Sequence, residues 1–242
     1  DLGVDNAGNA ITVNNNQTWE ITADQTTGLD YDFSATTMGD LTVIAGDDNG
    51  VDPAVGTITV GAFNAAAGAA ATTGTVTIEA SIANFTATST VLGAAQTLVV
   101  TGDEDVTLGA VTALAVNAAN SSGIINMTAG ANVATVATGS GNDAVVINDA
   151  TNGGAVVAHT VTTGAGNDNI TVTETAATAT IDAGAGNDTF TLTGLTAYVV
   201  AGGEGNDTFS TGADIEAVIL GGNGTDTFTV TTGGITYSNN TQ

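Results

Sequence analysis

Apolar and polar residues alternate along most of the second half of this chain, and the alternation recurs in a fixed register. NITVT (169–173), TFTLT (189–193) and TFTVT (227–231) each place side chains of one kind at every second position. That is the period of a β-strand with one buried face. Ahead of each such strand stands a loop of the form Gly-x-Gly-x-Asp. The five copies are TGSGNDAVV (138–146), TGAGNDNIT (163–171), AGAGNDTFT (183–191), GGEGNDTFS (202–210) and GGNGTDTFT (221–229). Their aspartates, Asp143, Asp168, Asp188, Asp207 and Asp226, are 25, 20, 19 and 19 residues apart. A period near 20 with one strand-loop-strand unit per copy predicts a solenoid.

The register extends through each copy. Val136, Val161, Ile181, Val200 and Ile219 occupy one equivalent position before the loop. Val145, Ile170, Phe190, Phe209 and Phe228 share a position after it, and Ile147, Val172, Leu192, Thr211 and Val230 lie two residues further on. These residues are predicted to face the interior, with Phe190, Phe209 and Phe228 in a ladder at the strand spacing of about 4.8 Å. The intervening Thr189/Thr191, Thr208/Ser210 and Thr227/Thr229 are predicted to point outward. Flat threonine arrays bind ice in some families. Threonine is also simply a favourable solvent-facing strand residue, and that is the reading adopted.

The first interval exceeds the last two by six residues (25 − 19), and the surplus around Asp149–Gly154 is expected to bulge from one turn. Upstream, TGDEDVTL (101–108) and SSGIINMT (121–128) keep a glycine turn before a strand, so residues from about 75 read as solenoid turns with degenerate loops. Residues 1–74 differ. They hold the one proline, Pro53, the one tryptophan, Trp19, and an Ala/Gly-rich stretch at 62–74, among strand-like runs at 11–13, 19–22, 41–45 and 57–60. An N-terminal β region is expected there, a cap on the solenoid or a small β domain, followed by the solenoid over 75–242. No segment has a convincing helical period. The fold expected is all-β: a parallel β-solenoid, as a two-sheet β-roll or a three-faced β-helix, with the Gly-x-Gly-x-Asp loops stacked along one edge.

Charge sharpens this picture. There are 25 Asp and Glu, one His and no Lys or Arg, for a formal charge of −25. With no basic partner, each carboxylate must face water, cap a backbone group or bind a cation. Nucleic acid and anionic membrane surfaces are excluded as partners, because Lys and Arg hold both. At 42% apolar residues and a mean hydropathy of +0.25, this is no disordered acidic tail. No apolar run is long enough to span a membrane. The absence of cysteine rules out disulfides and thiol chemistry. The start at Asp1, with no signal-peptide pattern, suggests a processed or excised segment.

The five loops resemble the RTX (haemolysin-type) glycine-rich repeats, whose nonapeptides form calcium-binding β-rolls. The resemblance covers roughly residues 138–230. It implies Ca²⁺ as cofactor, with Asp143, Asp168, Asp188, Asp207 and Asp226 as side-chain ligands. Loop backbone shaped by Gly139, Gly141, Gly164, Gly166, Gly184, Gly186, Gly203, Gly205, Gly222 and Gly224 would complete the shell. Calcium takes six to eight hard oxygens, and glycine permits the positive φ that turns carbonyls toward an ion. Stacked loops of this type would sandwich up to about four ions. The chain departs from the family in its period and in the first motif glycine, which is Thr138, Thr163 and Ala183 in three copies. Plain turn glycines with Asx-turn aspartates are the competing explanation.

Other candidates are weaker. Gly46–Gly50 and Asp103-Glu104-Asp105 read as solvated acidic turns, and the lone His159 as a packed or edge position. No His-Glu-x-x-His or Gly-x-Ser-x-Gly motif occurs, so a non-enzymatic role is expected. The expected function is an extracellular, calcium-stabilised structural protein that pairs with copies of itself in a filament or surface layer; by resemblance, RTX-like repeats are also found in bacterial surface-layer proteins and large adhesins. The alternative is a passive calcium-binding spacer or adhesion module of a larger secreted protein. A cell-surface glycan partner cannot be read from the sequence.

Overall fold

The computed structural model describes residues 17–21, 31–32, 40–45, 57–65, 74–148, 157–174, 178–194, 197–213, 216–232 and 235–238. All regular structure among them is β, in two sheets. The first sheet runs, in spatial order, β1 (Gln17–Ile21), β3 (Leu41–Ala45), β5 (Thr75–Ala80), β7 (Thr97–Gly102), β9 (Ala115–Asn117), β11 (Thr135–Ala137), β13 (His159–Thr162), β15 (Ala179–Ala185), β17 (Ala197–Glu204), β19 (Glu216–Asn223) and β21 (Ile235–Ser238). The second runs β2 (Tyr31–Asp32), β4 (Thr57–Ala65), β6 (Asn84–Leu92), β8 (Val106–Thr112), β10 (Ile125–Ala129), β12 (Ala144–Ile147), β14 (Asn169–Glu174), β16 (Thr189–Gly194), β18 (Thr208–Ala213) and β20 (Thr227–Thr232). The chain visits the two sheets alternately, and every pairing is parallel. This is a two-sheet solenoid, which decides between the roll and the three-faced helix.

Parallel pairing follows from the repeat. Equivalent residues of successive copies stack directly: Phe190 pairs with Phe209 and Phe209 with Phe228, while Ile181 pairs with Val200 and Val200 with Ile219. A slip of one residue would carry each apolar set to the solvent face, so the alternation itself fixes the register. Val136, Val161, Ile181, Val200, Ile219, Val145, Ile170, Phe190, Phe209, Ile147, Val172 and Leu192 are all buried, as the repeat register predicts. The phenylalanine rings stack nearly parallel, at 4.5 Å and 8° for Phe190–Phe209 and 4.9 Å and 6° for Phe209–Phe228. Thr189, Thr208 and Thr227 face outward and are exposed.

Upstream, β1, β3 and β4 pair in register with the same two sheets that continue through β5 and β6. The expected bulge at 149–154, the acidic turn at 46–50 and the strand-like run at 11–13 lie outside the described residues. No helix of the described residues is long and apolar enough to cross a membrane.

The loop glycines let neighbouring coils touch backbone to backbone. Gly186 has φ 145°, and a Cβ there would stand 1.7 Å from the Gly166 carbonyl oxygen of the preceding coil. Gly186→Ala should therefore cost more than the roughly 1–3 kcal/mol of its backbone conformation alone. A urea melt within a few tenths of a kcal/mol of the parent would show that the coils are further apart than this.

Candidate functional site

The five motif aspartates fall in one column where the first sheet hands over to the second. Each follows the glycine loop and precedes the strand, so its side chain has the inward parity of the strand's second residue. Asp143, Asp168, Asp188 and Asp207 are only 1–2% exposed, and Asp226 at the end of the row is half-buried. These four aspartates thus carry their carboxylates inside the coil rather than on its surface.

Each carboxylate has a defined backbone donor. The amide of Ile125 donates to Asp143 Oδ1 at 2.8 Å, that of Asp143 to Asp168 Oδ1 at 2.8 Å, and that of Asp168 to Asp188 Oδ1 at 2.8 Å. Asp188 N donates to Asp207 Oδ1 at 2.9 Å, and Asp207 N to Asp226 Oδ1 at 3.1 Å. Of the three fates open to an unpaired carboxylate, capping a backbone group is therefore realised by one oxygen of each. The second oxygen is different: Oδ2 of Asp143, Asp168, Asp188, Asp207 and Asp226 is buried without a hydrogen-bond partner.

A buried, half-satisfied carboxylate resists ionisation. Burial lifts Asp143 to about 6, aided by the charge of Asp168 and opposed by the Ile125 amide. Asp188 also rises to about 6, first through burial and then through the charges of Asp168 and Asp207, against the Asp168 amide. Asp168 and Asp207 are raised for the same first reason. The folded chain therefore binds more protons than the unfolded chain between the ordinary 3.8 and about 6. This contribution to stability is fully present below the lower value and is lost as pH rises through the upper one. In chelator, the melting temperature should rise as pH is lowered from 7 to about 5. A melting temperature that falls over that range would mean the carboxylates are solvated.

A second row was not anticipated from the sequence. Asn142 Oδ1 accepts from Asn167 N, Asn167 Oδ1 from Asn187 N, and Asn187 Oδ1 from Asn206 N, each at 2.7 Å. Asn206 Oδ1 then accepts from Thr225 N at 2.8 Å. These asparagines reach toward the next coil, whereas the aspartates reach back toward the previous one. Together the two rows pin each loop from both sides. The available signal was the residue preceding the aspartate, which is asparagine in four of the five copies.

The ten motif glycines serve close approach first. Gly164, Gly166, Gly184, Gly186, Gly203, Gly205, Gly222 and Gly224 have positive φ, and Gly139 and Gly141 lie outside that region. Some of their carbonyls already accept amides of the next loop: Gly139 O from Ala165 N at 3.0 Å and Gly164 O from Ala185 N at 2.9 Å. Among the described residues no three His, Cys, Asp or Glu side chains converge as a metal cluster. A calcium ion here would draw on a column of single carboxylate oxygens plus backbone carbonyls. The orphaned Oδ2 atoms and hard-oxygen donors suit that ion, so the residues fit it.

The remaining candidates separate from this column. His159 is buried with Nδ1 2.6 Å from Val133 O, a packed position as expected. Asp105 Oδ1 accepts from Ile124 N at 2.9 Å, so it works as a turn cap beside the exposed Asp103. The chain matches no protein-family model, no curated protein and no solved structure.

Proposed function

We propose that this chain is a non-catalytic, calcium-stabilised structural solenoid that acts outside the cell and stacks with copies of itself in a filament or surface layer. One observation carries the reading: a column of buried carboxylates, each with one oxygen on a backbone amide and the other on nothing. Such a column costs stability unless a cation meets it, since the chain has no Lys or Arg to do so. Calcium supplies that charge. When bound it would neutralise neighbouring aspartates of successive coils, with loop carbonyls completing its shell.

Coupling to location follows from charge. At −25 the chain repels itself where calcium is scarce and compacts where calcium is plentiful, as in extracellular fluid. Self-association is suggested by the pairing itself: the coils stack by extending two parallel ladders, and coils of a second copy can extend the same ladders. Electron microscopy of the chain in millimolar calcium and in chelator tests the assembly. Fibres or sheets that dissolve on chelation are expected. Dispersed particles in both would reduce the role to a passive calcium-binding module within a larger secreted protein.

A further inference from the structure

The five loops differ at their first position, and the difference falls on the atoms a cation would use. In the first two loops that residue is threonine. Thr138 Oγ1 donates to the Thr163 carbonyl at 3.1 Å, and Thr163 Oγ1 donates to the Ala183 carbonyl at 3.1 Å. Both threonines are buried. Their hydroxyls therefore occupy the first-position carbonyls of the next two loops, and their side chains fill the space beside Asp143 and Asp168. Ala183 keeps a methyl group there, and its own carbonyl is the one taken by Thr163.

The last two loops have glycine instead, at Gly202 and Gly221. Ala183 and Gly202 have no hydroxyl to reach the carbonyls of Gly202 and Gly221. Over the bare Cα of Gly202 two oxygens converge: a Cβ there would stand 2.1 Å from Asp207 Oδ2 and 2.5 Å from Gly221 O. Over Gly221 a Cβ would stand 2.0 Å from Asp226 Oδ2. Both Oδ2 atoms are buried and unpartnered. A threonine in either loop would collide with the carboxylate; its absence leaves a carboxylate and a carbonyl oxygen together over Gly202, and a carboxylate over Gly221.

We infer that the loops are of two kinds, and that the cation site is confined to the glycine-open pair around Asp207, Asp226, Gly202 and Gly221. In the loops at Asp143, Asp168 and Asp188 a side chain stands at the first position, and hydroxyls already take the Thr163 and Ala183 carbonyls, so these loops take no ion although their Oδ2 atoms are equally unpartnered. This rests on the calcium reading above and narrows it to the C-terminal coils. The N-terminal coils then form a cation-independent base, on which calcium orders the last coils.

Hydrogen exchange of the full chain, followed by mass spectrometry in calcium and in chelator, tests both levels separately. Added protection should be confined to peptides covering about 200–230, with those covering 138–172 unchanged. Equal protection of all five loops would overturn the confinement and leave calcium binding intact. No change anywhere would overturn calcium binding itself. Bound calcium gives a second readout that does not depend on refolding, because asparagine preserves the Oδ1 acceptor. Asp207→Asn should weaken affinity by at least the roughly tenfold that even an outer-shell partner is worth. Asp143→Asn should leave it unchanged, and equal losses in the two variants would contradict the assignment.

Discussion

Replacing Phe209 by alanine should cost about 3–5 kcal/mol, the loss expected when a buried aromatic is removed and its cavity cannot collapse. The ring is 1% exposed and lies between Phe190 and Phe228 at 4.5 and 4.9 Å. Backbone ladders hold the coils at strand spacing, so neighbouring rings cannot close the gap. Because each coil touches mainly its two neighbours, the damage should be local, melting the C-terminal coils before the rest. Phe228→Ala, at a partly buried site, should cost less. Thr208→Ala, on the exposed face of the same strand, should stay within about 0.5 kcal/mol. Guanidinium melts followed by tryptophan-independent circular dichroism measure all three. A Phe209→Ala cost no larger than that of Thr208→Ala would mean that the faces of the second sheet are inverted.

Asp207 should behave oppositely with and without calcium, and the two substitutions at this position separate its two oxygens. Alanine removes the acceptor of the Asp188 amide, now 2.9 Å from Oδ1. That orphans a buried N–H at a cost of about 1–3 kcal/mol in either condition. Asparagine keeps an Oδ1 acceptor and removes the ionisable carboxyl whose burial raises its pKa. In chelator the Asn variant should equal or exceed the parent. In calcium it should fall below it by the lost linkage, about 2.7 kcal/mol where calcium stands at a hundred times its dissociation constant. Thermal melts of both variants check this. The same ranking of parent and Asn variant in both conditions would sever the carboxylate from any cation.

The fold was largely legible because the chain repeats itself. A period near 20, with apolar residues in register at Val136, Val161, Ile181, Val200 and Ile219, specifies parallel stacking with little ambiguity, and the folded chain has those pairs. The number of sheets was less legible. The alternation shows which residues face inward but not how many sheets each coil contributes to, so a two-sheet roll and a three-faced helix share one pattern. At the candidate site, the sequence identified the five aspartates but not how each is divided between a backbone amide and a buried, unmet oxygen. That division depends on which coil a carboxylate reaches, and the repeat is symmetric to it. The asparagine row escaped notice because Asn142, Asn167, Asn187 and Asn206 look like ordinary turn residues until the coils are stacked. Conversely, Thr138 and Thr163 read as lapses from the glycine motif. In the folded chain their hydroxyls close on carbonyls of the next coil.

The most direct test of calcium stabilisation is a calorimetric titration of the purified, chelator-stripped chain with calcium, with magnesium as the comparison ion. The account predicts saturable calcium binding in the roughly 10⁻⁴–10⁻³ M range of extracellular modules or tighter. Magnesium should bind far more weakly, because it sheds its water reluctantly and a column of single oxygens cannot offer it an octahedron. Absence of any calcium binding at millimolar concentration would contradict the account and leave the aspartates as backbone caps.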